Sequence, residues 1–226
     1  MPRRARKAPG GMVFHCINRG NDRREIFDDA ADYGAFERVM GKVIETTPMR
    51  VLAYCLMPNH FHLLLWPRAD GHLAAFMQRL QVTHVRRWHE HRHSTGCGHL
   101  YQGPFKSFPV QADEHFLTVA RYVERNALRA RMVRAAENWR YSSLWRREKG
   151  SPEDRGMLAE WPVRRPADWL EWVNQPQSDK ELEQIRRSVN KGQPFGSVPW
   201  QQKTAAALGL ESTFRKPGRP RKKEDA

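Results

Sequence analysis

The chain has 226 residues, enough to bury a real core as one domain with appendages. Thirty-nine lysines and arginines against 25 aspartates and glutamates give a net charge of +14. That surplus points to a polyanionic partner, nucleic acid or an acidic membrane surface. No apolar run approaches the roughly 20 residues of a membrane span, and the basic start MPRRARKAPGG has no apolar stretch behind it, so no secretory signal is expected. Cys16, Cys55 and Cys97 form neither a disulfide framework nor a C-x-x-C metal site. Reduced thiols in a cytoplasmic, nucleoid-associated protein without a small-molecule substrate are expected.

In chain order, residues 1–11 read as a basic arm. Residues 12–18 alternate as a strand, closed by turn chemistry at Arg19-Gly20-Asn21-Asp22. Phe36, Met40, Val43 and Ile44 make one face of a helix between Asp29 and Thr47. Residues 49–56 and 60–66 read as hairpin strands around Pro58-Asn59, followed by a helix over 71–93. Residues 100–111 are extended, and Asp113 is placed to cap a helix running to about Ala130. The order strand, helix, strand, strand, helix, strand, helix predicts an α+β fold. Its core is a ferredoxin-like split βαβ (βαββαβ) antiparallel sheet with one added helix. Beyond a core at 12–145, residues 146–166 read as a linker or irregular extension, 167–209 as a small helical extension, and 210–226 as a basic tail.

His60 and His62 stand two apart on a strand, so both imidazoles leave the same face while Phe61 enters the core. The pair suits a divalent metal, but hydrogen-bonded sheet histidines fit the spacing as well. Tyr122 flanks the buried face of its helix, with Asn126 one turn on. A phenol beside an amide oxygen offers a nucleophile and a metal ligand, although a half-buried tyrosine with a hydrogen-bonded asparagine is the more common meaning. Arg19, Arg86, Arg87, Lys106, Arg121 and Arg125 are candidates for a groove that neutralises a DNA backbone, and the alternative is ordinary solvated charge. In the tail, FRKPGRPRKK contributes Arg215, Lys216, Arg219 and Arg221 around a PGRPRK core similar to an AT-hook; a non-specific basic arm is the alternative.

Three segments together carry a family resemblance. AYCLMPNHFHLLLWP at 53–67 resembles the HUH signature of single-tyrosine transposases. INRGNDRREIF at 17–27 resembles their first strand and loop, and YQGPFKSFPVQADEHFLTVARYVERNALRARMV at 101–133 their last strand and tyrosine helix. Within that family the likeness is to the REP-associated tyrosine transposases of bacteria, over about residues 12–145. The resemblance implies a metal-dependent single-strand DNA endonuclease and strand transferase acting on palindromic-repeat hairpins. It implies Mg²⁺ or Mn²⁺ on His60, His62 and Asn126, and a covalent 5′-phosphotyrosine on Tyr122, with Arg121 and Arg125 favouring its phenolate. Where the family often has Asn-Pro, this chain has Asn126-Ala127, so the helix is expected to run on. The long C-terminal extension favours a monomer over a dimer. The competing readings are a catalytically silent hairpin-binding protein and an RNA-binding ferredoxin-like module. The second fits poorly, because the expected aromatic strand motif is absent.

Overall fold

The computed structural model describes residues 7–96 and 98–215. Strands β1 (Val13–Arg19), β2 (Met49–Met57), β3 (His60–Pro67) and β4 (Lys106–Val110) form one antiparallel sheet in the order β2-β3-β1-β4. Helices α1 (Ala30–Thr46) and α2 (His72–His91) supply the two crossovers, as the split βαβ pattern predicts. The Asp29 side chain caps α1 by accepting from the Asp32 amide. Phe36, Met40, Phe76 and Leu80 then bury against Phe14, Phe61, Leu63 and Leu65 on one face of the sheet.

A sheet with both crossover helices on one side leaves its other face bare. Here α3 (Glu114–Glu124), α4 (Asn126–Arg129), α5 (Ser143–Lys149), α6 (Pro152–Gly156), α7 (Trp169–Asn174), α8 (Asp179–Lys191) and α9 (Val198–Leu208) follow. Phe116, Val119 and Val123 of α3, Trp169 and Val173 of α7 and Ile185 of α8 form a second core with Val13, Ala53, Leu64 and Phe108. Glu124 is fully buried, and burial pushes its carboxyl upward. It accepts from the Ser143 hydroxyl at 2.6 Å and the Trp169 indole at 2.8 Å, tying α3 to α5 and α7.

The same C-terminal residues close both sheet edges, which otherwise present unpaired backbone. A bulge between Val51 and Ala53 frees carbonyls on β2. The Ala159 amide reaches Val51 O, and the Trp161 indole and Arg147 reach Leu52 O. At the other edge the Phe195 amide donates to Pro109 O, in a strand whose proline suits an edge position. Residues 146–166 are thus hydrogen-bonded along β2, and 167–209 pack on the core. No helix among the described residues is long and apolar enough to cross a membrane.

On α2, His84 is buried against Phe27 and Phe36, with Nδ1 2.6 Å from the Tyr101 hydroxyl. Burial pushes its imidazole down to about 3, with Asp32 opposing and Arg92 reinforcing the shift. Below the unfolded value near 6.5 the unfolded chain takes up a proton that the folded one refuses. Stability is therefore fully present above pH 6.5 and falls as pH drops toward 3, by about 1.4 kcal/mol per pH unit for each such histidine. Urea unfolding at pH 6.5 and pH 5 should show a loss of about 2 kcal/mol from His84 alone; a flat profile would contradict this burial.

Candidate active site

The β2–β3 turn is tied to the loop after β1. Gly20 N donates to Asn59 O at 2.9 Å, and Asn59 Nδ2 donates to Arg23 O at 3.1 Å. A Cβ on Gly20 would meet Arg24 O at 2.3 Å, so the close approach requires glycine. From this turn β3 projects His60 and His62 onto the face covered by α3, with ring centroids 5.1 Å apart. Arg19 and Ile17 lie opposite them on β1, Met57 and Cys55 on β2.

Each ring is held through Nδ1. Asn59 Oδ1 lies 2.6 Å from His60 Nδ1, and His15 Nε2 lies 2.9 Å from His62 Nδ1. Burial, followed by the charges of Arg19 and Arg129, pushes His60 down to about 4. Burial, followed by His15, His60, Arg129 and Arg19, holds His62 well below the usual histidine range. Both are therefore neutral at neutral pH.

The structure brings Tyr122 to this pair within one chain. Its ring is edge-on to His62 at 5.6 Å and to His15 at 6.4 Å. The Arg129 guanidinium lies over the ring at 4.1 Å and donates to Asn126 Oδ1 at 2.9 Å. Asn126 thus joins the group through Arg129. It is buried, and its Nδ2 has no partner. Two neutral imidazoles suit a divalent cation, whereas the Asn126 amide oxygen is taken by Arg129 in this structure. Among the described residues, the one His/Cys/Asp/Glu trio with ligand atoms mutually within 4.8 Å lies elsewhere, at Asp113, Glu114 and His115. Asp113 there caps α3 and bonds the His115 ring, which explains the cluster.

Two of the expected DNA contacts, Arg121 and Arg125, are turned inward. Arg121 is buried, and its guanidinium donates to the carbonyls of Trp172, Gln175 and Pro176, with Glu181 3.7 Å away. Arg125 donates to Val173 O and Asn174 O. Both hold α7 and the turn after it, so neither faces a groove or the phenol; Arg129 takes that second place. Arg86 and Arg87 stand on α2, across the sheet from the histidines, and Arg86 pairs with Glu90 at 2.9 Å. The tyrosine helix does not run on smoothly: α3 ends at Glu124, and Arg125 at ψ −4° separates it from α4. Arg19 and Lys106 do share the site's face, lining a cleft of about 410 Å³ with Gln102 and Asn190. Arg215 is exposed, and its carbonyl accepts from Lys191 at 3.0 Å. Lys216, Arg219 and Arg221 lie outside the described residues.

His15 was not anticipated. Its signal, a histidine in the apolar run VFHCIN, acquires meaning only from the register that sets Ile17 opposite His62 and therefore His15 diagonal to it.

A strand with paired histidines meeting a tyrosine-bearing helix on one face of a ferredoxin-like sheet defines a class, and comparison with known proteins agrees. The IS200-like transposase profile matches residues 10–126, more than half of the chain, and the chain belongs to that family. A Haemophilus influenzae protein bearing the name REP-associated tyrosine transposase is 24% identical over 157 residues, 65% of this chain and 88% of the relative. The solved structure of a REP-associated tyrosine transposase bound to a REP hairpin superposes with a TM-score of 0.54 at 16% identity. It covers 79% of this chain and 92% of its own, a likeness of fold.

Proposed function

We propose that this protein nicks and rejoins single-stranded DNA at palindromic-repeat hairpins, through a covalent tyrosine intermediate. The observation that carries the reading is the convergence of Tyr122 on the His60–His62 pair within one chain. A single chain therefore holds every proposed participant, which supports action as a monomer. The REP hairpin held by the structural relative, and the name of the Haemophilus protein, support hairpin DNA as the substrate.

His60 and His62 through Nε2 are the residues that would hold Mg²⁺ or Mn²⁺, joined by Asn126 through Oδ1 once Arg129 releases that oxygen. That ion supplies Lewis-acid polarisation of the scissile phosphate. The Tyr122 oxygen attacks phosphorus and forms a Tyr–O–P bond as the P–O3′ bond breaks. The phenol proton passes, net, to the leaving 3′-oxygen, which departs as a hydroxyl, and a 5′-phosphotyrosine remains. Attack by a 3′-hydroxyl reverses the step, so no external energy source is required.

Incubation with labelled single-stranded hairpin DNA and Mn²⁺ should give an adduct that survives SDS and boiling, and EDTA should prevent it. No adduct with any palindromic substrate would leave the silent hairpin-binding reading as the better account.

The arginines separate into two behaviours. Arg19→Ala and Lys106→Ala should each lower the salt dependence of single-strand binding by about one phosphate, near 0.7 in the log–log slope. Arg121→Ala should leave that slope alone. It strips three carbonyls of their donor and should lower stability by about 2–4 kcal/mol. Anisotropy titrations across salt, with parallel urea unfolding, measure both; an unchanged slope in Arg19→Ala and Lys106→Ala would remove the cleft from the DNA path.

A further inference from the structure

We propose that His15 is a positioning residue that selects the tautomer of His62 able to bind metal. This rests on the metal reading above and adds a residue that reading does not use. At His60 the hydrogen-bond network is unambiguous. Asn59 Nδ2 donates to Arg23 O, which fixes the amide so that Oδ1 faces His60 Nδ1. An amide oxygen only accepts, so the His60 proton lies on Nδ1 and Nε2 carries a lone pair. The turn thus sets one imidazole for coordination.

His62 has no such carbonyl. Its Nδ1 faces His15 Nε2 at 2.9 Å, and either nitrogen can be the donor. If His62 Nδ1–H donates, His62 Nε2 is bare, and the proton of His15 lies on its own Nδ1. If His15 Nε2–H donates, the His62 proton moves to Nε2 and blocks coordination there. A metal-ready pair therefore requires His15 to act as acceptor, the part that Asn59 plays for His60.

The surroundings suit that role. His15 is fully buried, 4.8 Å from the Phe108 ring and 6.4 Å from Tyr122, so the ring is held in place. Its Nδ1 has no hydrogen-bond partner. With His15 as acceptor that nitrogen carries its proton, a buried N–H without a partner, which costs stability. Stability alone does not account for a histidine here, whereas an acceptor aimed at His62 does.

Mn²⁺ alone is the probe, with its dissociation constant read by electron paramagnetic resonance on full-length protein without DNA. His15→Phe keeps a ring among aromatic neighbours and removes the acceptor. Its Mn²⁺ affinity should fall about 10- to 100-fold, with thermal stability close to wild type, because the substitution removes the unpartnered His15 Nδ1 and leaves His62 Nδ1 unpartnered in its place. His15→Gln returns an acceptor and should recover part of the loss. Wild-type affinity in His15→Phe, or no recovery in a folded His15→Gln, would overturn the proposal. If wild type binds Mn²⁺ no better than the His60→Ala/His62→Ala double variant, the metal reading itself fails and takes this proposal with it. A measurement independent of any variant's folding is the ¹⁵N spectrum of wild-type imidazoles. The His62 proton on Nδ1 is expected, and a proton on Nε2 would refute the assignment.

Discussion

Tyr122→Phe is expected to abolish the covalent protein–DNA adduct and to lower single-strand cleavage by about 10³-fold or more, with the fold intact. The substitution removes one oxygen. The contacts that hold the ring, edge-on packing to His62 and the Arg129 guanidinium 4.1 Å above its centre, belong to the ring and not to the hydroxyl. Stability should therefore change by no more than about 0.5 kcal/mol. Hairpin affinity should also persist, because no cation is lost. Denaturing gels and thermal unfolding on the same preparation separate loss of chemistry from loss of fold. An undiminished adduct would assign the nucleophile elsewhere. Tyr101 and Tyr141 are poor substitutes: Tyr101 is buried on His84 on the opposite face, and Tyr141 stacks on Tyr33 at 3.9 Å.

The second large effect falls on the histidines. His60→Ala and His62→Ala should each reduce cleavage by about 10³-fold, and the double variant should be no worse than the weaker single one, since both rings serve one ion. Hairpin affinity should stay within a few-fold, because Arg19 and Lys106 are untouched. The His62 substitution carries a further cost. His62 is buried beside His15, so truncation leaves His15 Nε2 unpaired as well as a cavity, and stability should fall by about 2 kcal/mol. His60 is more exposed and should cost less. Single-turnover cleavage across Mn²⁺ concentration is the measurement; full activity in either variant, or in excess EDTA, would make the pair structural.

What the sequence discloses follows from local periodicity. A period of two places His60 and His62 on one face whatever the partner strands, and the Asp113 cap and Pro58-Asn59 turn are chemistry of adjacent residues. The strand–helix order then fixes the sheet almost uniquely. What stays hidden depends on long-range packing. His15 meets His62 only through the β1–β3 register. Arg121 and Arg125 look like groove cations on a helical wheel, because nothing local announces that the backbone at 172–176 will cap them. Arg129 stands seven residues, two helical turns, after Tyr122 and lies over its ring instead. The sealing of both sheet edges by 139–163 and 193–196 is likewise invisible to pattern, since it uses isolated backbone and indole donors.

The most direct test of the central claim is mass spectrometry of the trapped protein–DNA adduct after nuclease and protease digestion. The account predicts a phosphonucleotide on Tyr122, joined through the 5′-phosphate, with the complementary fragment ending in a free 3′-hydroxyl. Modification at any other residue, or a 3′-phosphate linkage, would contradict it.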